Sequence, residues 1–207
     1  MNNTLPAAEG RRARKKRETR ERILNVASSS FNAIGFEATT VEAIAEGADI
    51  SRPTLFNYFP SKMAILQALL PEVDRHFAAA VTRTDRDIAT IGDQLQQFFA
   101  YITKMTQKTP QLTQSMLIQA LRAYEDPRDS LVHHRFPKTR DAFIALLEDA
   151  TLRGEIRSDF NAARLTDYIT GIYVYGLLNW LANPEFAAEE EFREAARFLT
   201  AALVEAP

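Results

Sequence analysis

Side chains suited to holding a nucleic acid crowd into residues 51–62, S-R-P-T-L-F-N-Y-F-P-S-K. Arg52 carries the planar fork that matches a guanine edge, Asn57 an amide that pairs with adenine, and Pro53 an apolar face for a thymine methyl. Thr54, Tyr58 and Lys62 are donors of the kind that hold phosphate oxygens. Nothing comparable points to catalysis. The chain has three histidines, His76, His133 and His134, and no cysteine. His76 lies in a charged helical stretch and reads as a surface residue. His133 and His134 stand near Glu125, Asp126 and Asp129, but adjacent histidines on a helix point in different directions, and the spacing fits no standard metal site. Without cysteine there is neither a disulfide framework nor a thiolate metal site. The seven glycines are scattered singly, so no phosphate-cradling loop exists. The expectation is a protein that is not an enzyme, with no metal and no cofactor.

The elements that would position these side chains read as two short helices and a tight turn over residues 39–62. Thr39 followed by Glu42 reads as a capping box that opens a helix near Thr40. Val41, Ile44 and Ala45 give this helix one apolar face, and Gly47 is expected to end it in the left-handed conformation. Ser51 caps a second helix over residues 52–58, whose first turn tolerates Pro53 because the missing N–H has no partner there. Phe59-Pro60 cuts it off, and Ser61 caps the next. Upstream, from Thr19, the residues Ile23, Leu24, Ala27, Phe31 and Ile34 recur at helical spacing, and Gly35 closes that helix. Helix, short turn, helix is the helix-turn-helix, whose second helix enters the major groove of DNA.

These residues resemble the DNA-binding domain of the TetR family of bacterial transcriptional regulators. The ending S-R-P-T-L-F-N-Y-F-P-S-K is similar to the family pattern small-x-x-T-L-Y-x-Y/H-F-x-S/N-K, with Phe56 where the family usually has Tyr, so one hydroxyl is missing. The resemblance implies that Thr40 also bonds phosphate. The expected DNA-facing set is therefore Thr40, Ser51, Arg52, Pro53, Thr54, Phe56, Asn57, Tyr58 and Lys62. The resemblance is specific over this head and architectural over the rest.

The formal net charge of -2 hides an asymmetry, because residues 1–62 balance at +3 and residues 63–207 at -5. A basic front and an acidic rear suit a chain that touches DNA at one end. Residues 1–10 lack periodicity and read as a mobile tail. The run RRARKKR at 11–17 reads as a flexible basic arm that could reach the minor groove or run along phosphates. No secretory signal is visible, and the longest nearly apolar run, residues 171–182, is too short to span a bilayer. A cytoplasmic protein with no membrane partner is expected.

The remainder reads as helical, with no strand signal. A fourth helix from Ser61 carries Ile65, Leu66, Leu69, Val73 and Phe77. Pro71 should kink or break it near residues 67–70, and the resemblance implies that displacement of this helix carries the signal to the head. Ile88, Ile91, Leu95, Phe98, Ile102 and Met105 step along a fifth helix. Thr109-Pro110 opens a sixth, the seventh runs from about Thr139 to the stop at Gly154, Asn161 or Asp159 caps an eighth, and the ninth carries Phe192, Ala196, Leu199 and Leu203. Aromatic and methionine side chains on helices five to eight are the expected lining of an apolar ligand pocket: Phe98, Phe99, Ile102, Met105, Met116, Tyr124, Phe143, Tyr168 and Tyr173. Helix eight is apolar nearly all round, which suggests a subunit interface with Gly171 and Gly176 allowing close approach. The resemblance implies the same, a homodimer through the last two helices.

The reading is an all-α protein of about nine helices: a basic arm at 1–17, a three-helix helix-turn-helix domain at 18–62, and an effector-binding and dimerisation domain at 63–207. Its expected partners are double-stranded DNA with a roughly palindromic operator, a small, largely apolar effector, and a second copy of itself. Two rivals are a ligand-independent nucleoid or architectural DNA-binding protein of the same fold, and an α-helical enzyme or lipophile carrier.

Overall fold

The computed structural model describes residues 10–83, 90–122, 136–183 and 185–204. Every regular element among them is an α-helix: α1 (Arg11–Ile34), α2 (Val41–Gly47), α3 (Arg52–Tyr58), α4 (Lys62–Val81), α5 (Ile91–Lys108), α6 (Pro110–Arg122), α7 (Pro137–Leu152), α8 (Ala162–Ala182) and α9 (Ala188–Leu203). The chain divides into two compact units, Met1–Leu69 and Leu70–Pro207.

In the first unit, α1 buries Thr19, Ile23, Ala27 and Phe31, a stripe at steps of four. Gly35 ends this helix with a φ of 84°, open to glycine and costly to a side chain. Residues 11–17, expected as a flexible arm, instead form the first two turns of α1. Arg14 with Glu18 and Arg17 with Glu21 pair one turn apart along it. Each such pair supports a helix by about 0.2–0.5 kcal/mol.

The cap of α2 differs from the sequence expectation by one residue, while those of α3 and α4 are as expected. Thr40, not Thr39, caps α2, its Oγ1 accepting from Ala43 N at 3.1 Å. Thr39 is buried and donates its hydroxyl to Gly35 O at 2.8 Å. Gly47 does not end α2 in a left-handed conformation; it lies inside the helix, where an added Cβ would stand 2.8 Å from Val26 Cγ1. Glycine is there for close approach of α1 and α2. The left-handed residue of the turn is Asp49, at a φ of 53°, a conformation that Asp tolerates better than most side chains. Ser51 caps α3 by accepting from Thr54 N, and Ser61 accepts from Ala64 N as α4 begins. The expected break at Pro71 is absent: α4 is one helix with the proline inside it.

The second unit has an apolar core in which Phe98, Phe99, Ile102, Phe143, Leu146, Leu147, Ile169 and Phe192 are buried together. α5 packs most extensively on α9, and α7 on α8. α5 starts at Ile91, and Ile88, expected on it, lies outside the described residues. Two helices of this unit start on carboxylates from distant segments. Asp74, 2% exposed, accepts from Lys138 N at 3.0 Å and Thr139 N at 2.9 Å, capping α7. Glu155 accepts from Ile91 N at the start of α5. Asp93 and Thr90 complete a capping box on α5. Asn161 caps α8, accepting from Arg164 N at 2.8 Å.

Candidate nucleic-acid interface

α3 buries only Leu55 and leaves Arg52, Pro53, Phe56 and Asn57 exposed. A short helix with one buried residue leaves most of each turn free, which is what a groove-reading helix requires. Arg52 is held in place before any base is met: Nη1 lies 3.0 Å from Glu42 Oε1, and the guanidinium stands 5.5 Å from the centre of the Phe56 ring. Phe56, four residues on and so on the same face of α3, therefore acts as a platform for Arg52.

The hydroxyls are arranged so that each cap keeps capacity for a phosphate. Thr40 accepts from Ala43 N with a lone pair, and its O–H stays available. Ser51 Oγ and Thr54 Oγ1 are 2.8 Å apart, so one donates to the other and the pair retains one O–H. Tyr58 is half-buried at the end of α3. Lys62 behaves differently. Its Nζ donates to Phe36 O at 2.6 Å, Glu37 O at 3.2 Å and Thr39 O at 2.9 Å, and lies 4.4 Å from the centre of the Phe36 ring. An ammonium has three donors, so Lys62 has none left for phosphate and instead ties the start of α4 to the α1–α2 connection.

In the second unit, the residues expected to line a ligand pocket mostly pack on one another. Phe98 meets Phe143 edge-on at 4.7 Å and Tyr173 at 6.3 Å, while Phe99 stacks on Phe192 at 5.7 Å. Tyr173 also meets Phe77, and its burial pushes the phenol pKa above its ordinary value, so the ring stays neutral. Ile102 is in the same core, Met105 and Met116 are half-buried, and Tyr168 is 51% exposed on the outside of α8. Tyr124 lies outside the described residues, as do His133 and His134. Phe77 and Phe192 belong to the cluster, although the sequence pattern does not place them in a pocket. Among the described residues, no group of three or more His, Cys, Asp or Glu could hold a metal ion.

Residues 23–69 match the family model of bacterial regulatory proteins, tetR family. Over 178 residues the chain is 30% identical to the HTH-type transcriptional repressor KstR of Mycolicibacterium smegmatis, covering 84% of this chain and 82% of that protein. The chain belongs to the TetR family. It is a DNA-binding transcriptional regulator. Similarity extends along most of its length, since it is also 26% identical to the HTH-type transcriptional regulator UidR of Escherichia coli K12, over 91% of this chain and 94% of that one. Among solved structures, it is similar to the TetR-family repressor FadR of Thermus thermophilus, determined in complex with lauroyl-CoA. There the TM-score is 0.70 and the identity 27%, over 91% of this chain and 97% of FadR.

In this TetR-family regulator the two glycines of α8 have separate roles. A Cβ on Gly176 would lie 2.4 Å from Phe192 Cε1, so this glycine serves α8–α9 packing within one chain, not close approach of a second subunit. Gly171 has open space beside it. The side of α8 that carries Tyr168, Gly171 and Tyr175 is exposed, Tyr175 by 69%, and α9 exposes Phe198 by 66%. No helix of the described residues is long and apolar enough to cross a membrane.

Proposed function

We propose that this regulator is a homodimeric cytoplasmic repressor, released from a roughly palindromic operator by a small, largely apolar ligand. The observation that carries the DNA half is the free face of α3, with Arg52 pre-positioned on Glu42 and Phe56 and Asn57 exposed beside it. In this reading Arg52 and Asn57 read base edges, Pro53 and Phe56 give apolar contact, and Thr40, Ser51, Thr54 and Tyr58 hold phosphates. Lys62 supports the interface from behind. The exposed aromatic residues Tyr168, Tyr175 and Phe198 on the last two helices suit a four-helix dimer interface. Two heads would then meet half-sites about 34 Å apart or more.

The ligand half draws on the aromatic region of α5, α7 and α8 and on the lauroyl-CoA complex of FadR. A ligand that favours one head separation over another lowers operator affinity by linkage. Lauroyl-CoA is the first compound to test. Binding of the full-length protein to its own promoter and to random DNA of equal length, across a salt series, checks the reading. The expected result is a preference of about a thousandfold or more for the promoter, abolished on adding the acyl-CoA. Equal binding to both DNAs would overturn the regulator reading.

One observation favours a second reading. The rings of Phe98, Phe99, Phe143, Tyr173 and Phe192 fill each other's space, as they would in a ligand-independent protein. Promoter preference unaffected both by acyl-CoA and by apolar ligands would support that reading.

A further inference from the structure

We infer that Glu42 is a positioning residue for base selection: it fixes the direction of Arg52, so that Arg52 gains little from DNA unless it meets its base. The inference rests on the reading of α3 as the recognition helix and adds a selectivity device on α2. Residues 36–60 are acidic for a surface that meets a polyanion. Glu37, Glu42, Glu46 and Asp49 stand there against one cation, Arg52. The next cation along the chain, Lys62, has its donors on carbonyls. Arg52 is therefore the only cation carried by α2 and α3, and the group of these two helices most open to capture by a phosphate.

Glu42 opposes that capture. Its Oε1 lies 3.0 Å from Arg52 Nη1, with both side chains exposed. Among the described residues neither has another ion-pair partner. The Phe56 ring, 5.5 Å from the guanidinium, confines it on a second side. An exposed ion pair adds little to the stability of a fold; the consequence of this one lies in what Arg52 can do on DNA. A guanidinium has five N–H donors in a rigid fork. Glu42 takes one, which leaves enough for both acceptors of a guanine edge. On its own base Arg52 keeps Glu42 and gains the guanine. On any other base it either stays paired, as a near-neutral unit with little pull on phosphate, or leaves for a phosphate and strands a carboxylate beside the polyanion. Both choices make non-cognate DNA a poorer partner than it would be for a free arginine, which is selectivity by penalising the wrong partner. Glu42 also stands in the first turn of α2, where a carboxylate suits the positive end of the helix. That role needs no partner on α3 and would leave base selection untouched, so base selection separates the two.

The test is Glu42→Gln in the full-length protein, alone and combined with Arg52→Ala, with Glu46→Gln as control. Glu46 is exposed one turn further along α2. Its substitution removes the same charge from the same helix without releasing Arg52, whose ion pair is with Glu42. Affinity for promoter, for random DNA and for a set of single-base promoter variants is measured across a salt series. In Glu42→Gln, random DNA should bind more tightly, with a log–log salt slope steeper by about 0.9, the increment of one phosphate taken up by the released Arg52. Promoter preference should fall by about fivefold or more, the lower end of what one bidentate base contact contributes, with discrimination weakened at one base position. Glu46→Gln should shift both DNAs equally and keep the preference. With Arg52→Ala in place, Glu42→Gln should no longer lower the preference, because Glu42 acts through Arg52. An unchanged preference in Glu42→Gln, the same loss in the Glu46 control, or a loss that persists without Arg52 overturns the inference and leaves the regulator reading standing. Equal binding of the wild type to promoter and random DNA overturns both.

Discussion

Lys62 shows how one residue type supports two opposite expectations. A lysine at the start of a helix after a helix-turn-helix suits phosphate, yet all three of its donors are spent on the carbonyls of Phe36, Glu37 and Thr39. Lys62→Met should therefore lower stability by about 1–3 kcal/mol, because part-buried carbonyls are left without their donor. A melting curve measures that change, and the salt slope of DNA binding should stay as in the wild type. A slope shallower by the increment of one phosphate would return Lys62 to the DNA backbone. Arg52 is the converse case. Its pairing with Glu42 and Phe56 fixes its direction without consuming the whole fork. Arg52→Ala should cost about 1–3 kcal/mol on the preferred operator and relax selection at one base position. Binding to a set of single-base operator variants would show it, and a uniform weakening across the set would make Arg52 a phosphate contact.

Helix ends and helix crossings carry the predictions at the scale of elements. α7 begins on Asp74, a carboxylate from α4 that lies more than sixty residues away in sequence and is bonded to two backbone N–H groups and the Thr139 hydroxyl. Asp74→Ala should destabilise the protein by about 1–3 kcal/mol, since those donors are left without a buried partner. Asp74→Asn, which retains one acceptor oxygen, should cost less; denaturant unfolding compares the two. Gly176 and Gly171 make a matched pair on α8. Gly176→Ala drives a Cβ into the Phe192 ring and should cost about 1–3 kcal/mol. Gly171→Ala enters open space in a helix and should be neutral or gain up to about 1 kcal/mol in the folded chain. Equal effects at the two positions would contradict the crossing described for α8 and α9. Asp93 gives a pH dependence of known sign. The Thr90 hydroxyl and N–H hold its pKa below the ordinary carboxylate value, so its contribution is present above that value and disappears as pH falls through the lowered one. Asp93→Asn should remove that part of the acid sensitivity of the melting temperature.

For the molecule as a whole, the homodimer proposed above would place the exposed aromatic residues of α8 and α9 in its interface. Tyr175→Glu with Phe198→Glu should shift the sedimentation coefficient from dimer to monomer and reduce operator affinity on the order of a hundredfold or more, as the second head no longer binds intramolecularly. A dimer that survives both substitutions would move the interface elsewhere.

Local pattern in the chain was enough for the helical class, the order of the elements, the caps at Ser51, Ser61 and Asn161, and the position of the helix-turn-helix. All of these depend on residues within one or two turns of each other, where spacing is preserved in the chain. The left-handed turn residue is not legible in this way, because Gly47 and Asp49 can both adopt that conformation; the proximity of Val26 to Gly47, which joins two different helices, decides between them. Residues 11–17 are a different case: Glu18 and Glu21 stand four residues beyond Arg14 and Arg17, a helical pairing present in the chain itself, and the run of like charge outweighed it in the expectation of a flexible arm. The aromatic pattern gathers true neighbours in Phe98, Phe99 and Phe143 but misses Phe77 and Phe192, which reach the cluster from other helices. Packing in three dimensions was needed to show that Lys62 is spent on carbonyls, that Asp74 and Glu155 start helices far from themselves, and that Glu42 of α2 holds Arg52 of α3. In each case the partner of a charge or a ring is set by how the helices pack, and a linear pattern records which groups are present but not which of them meet.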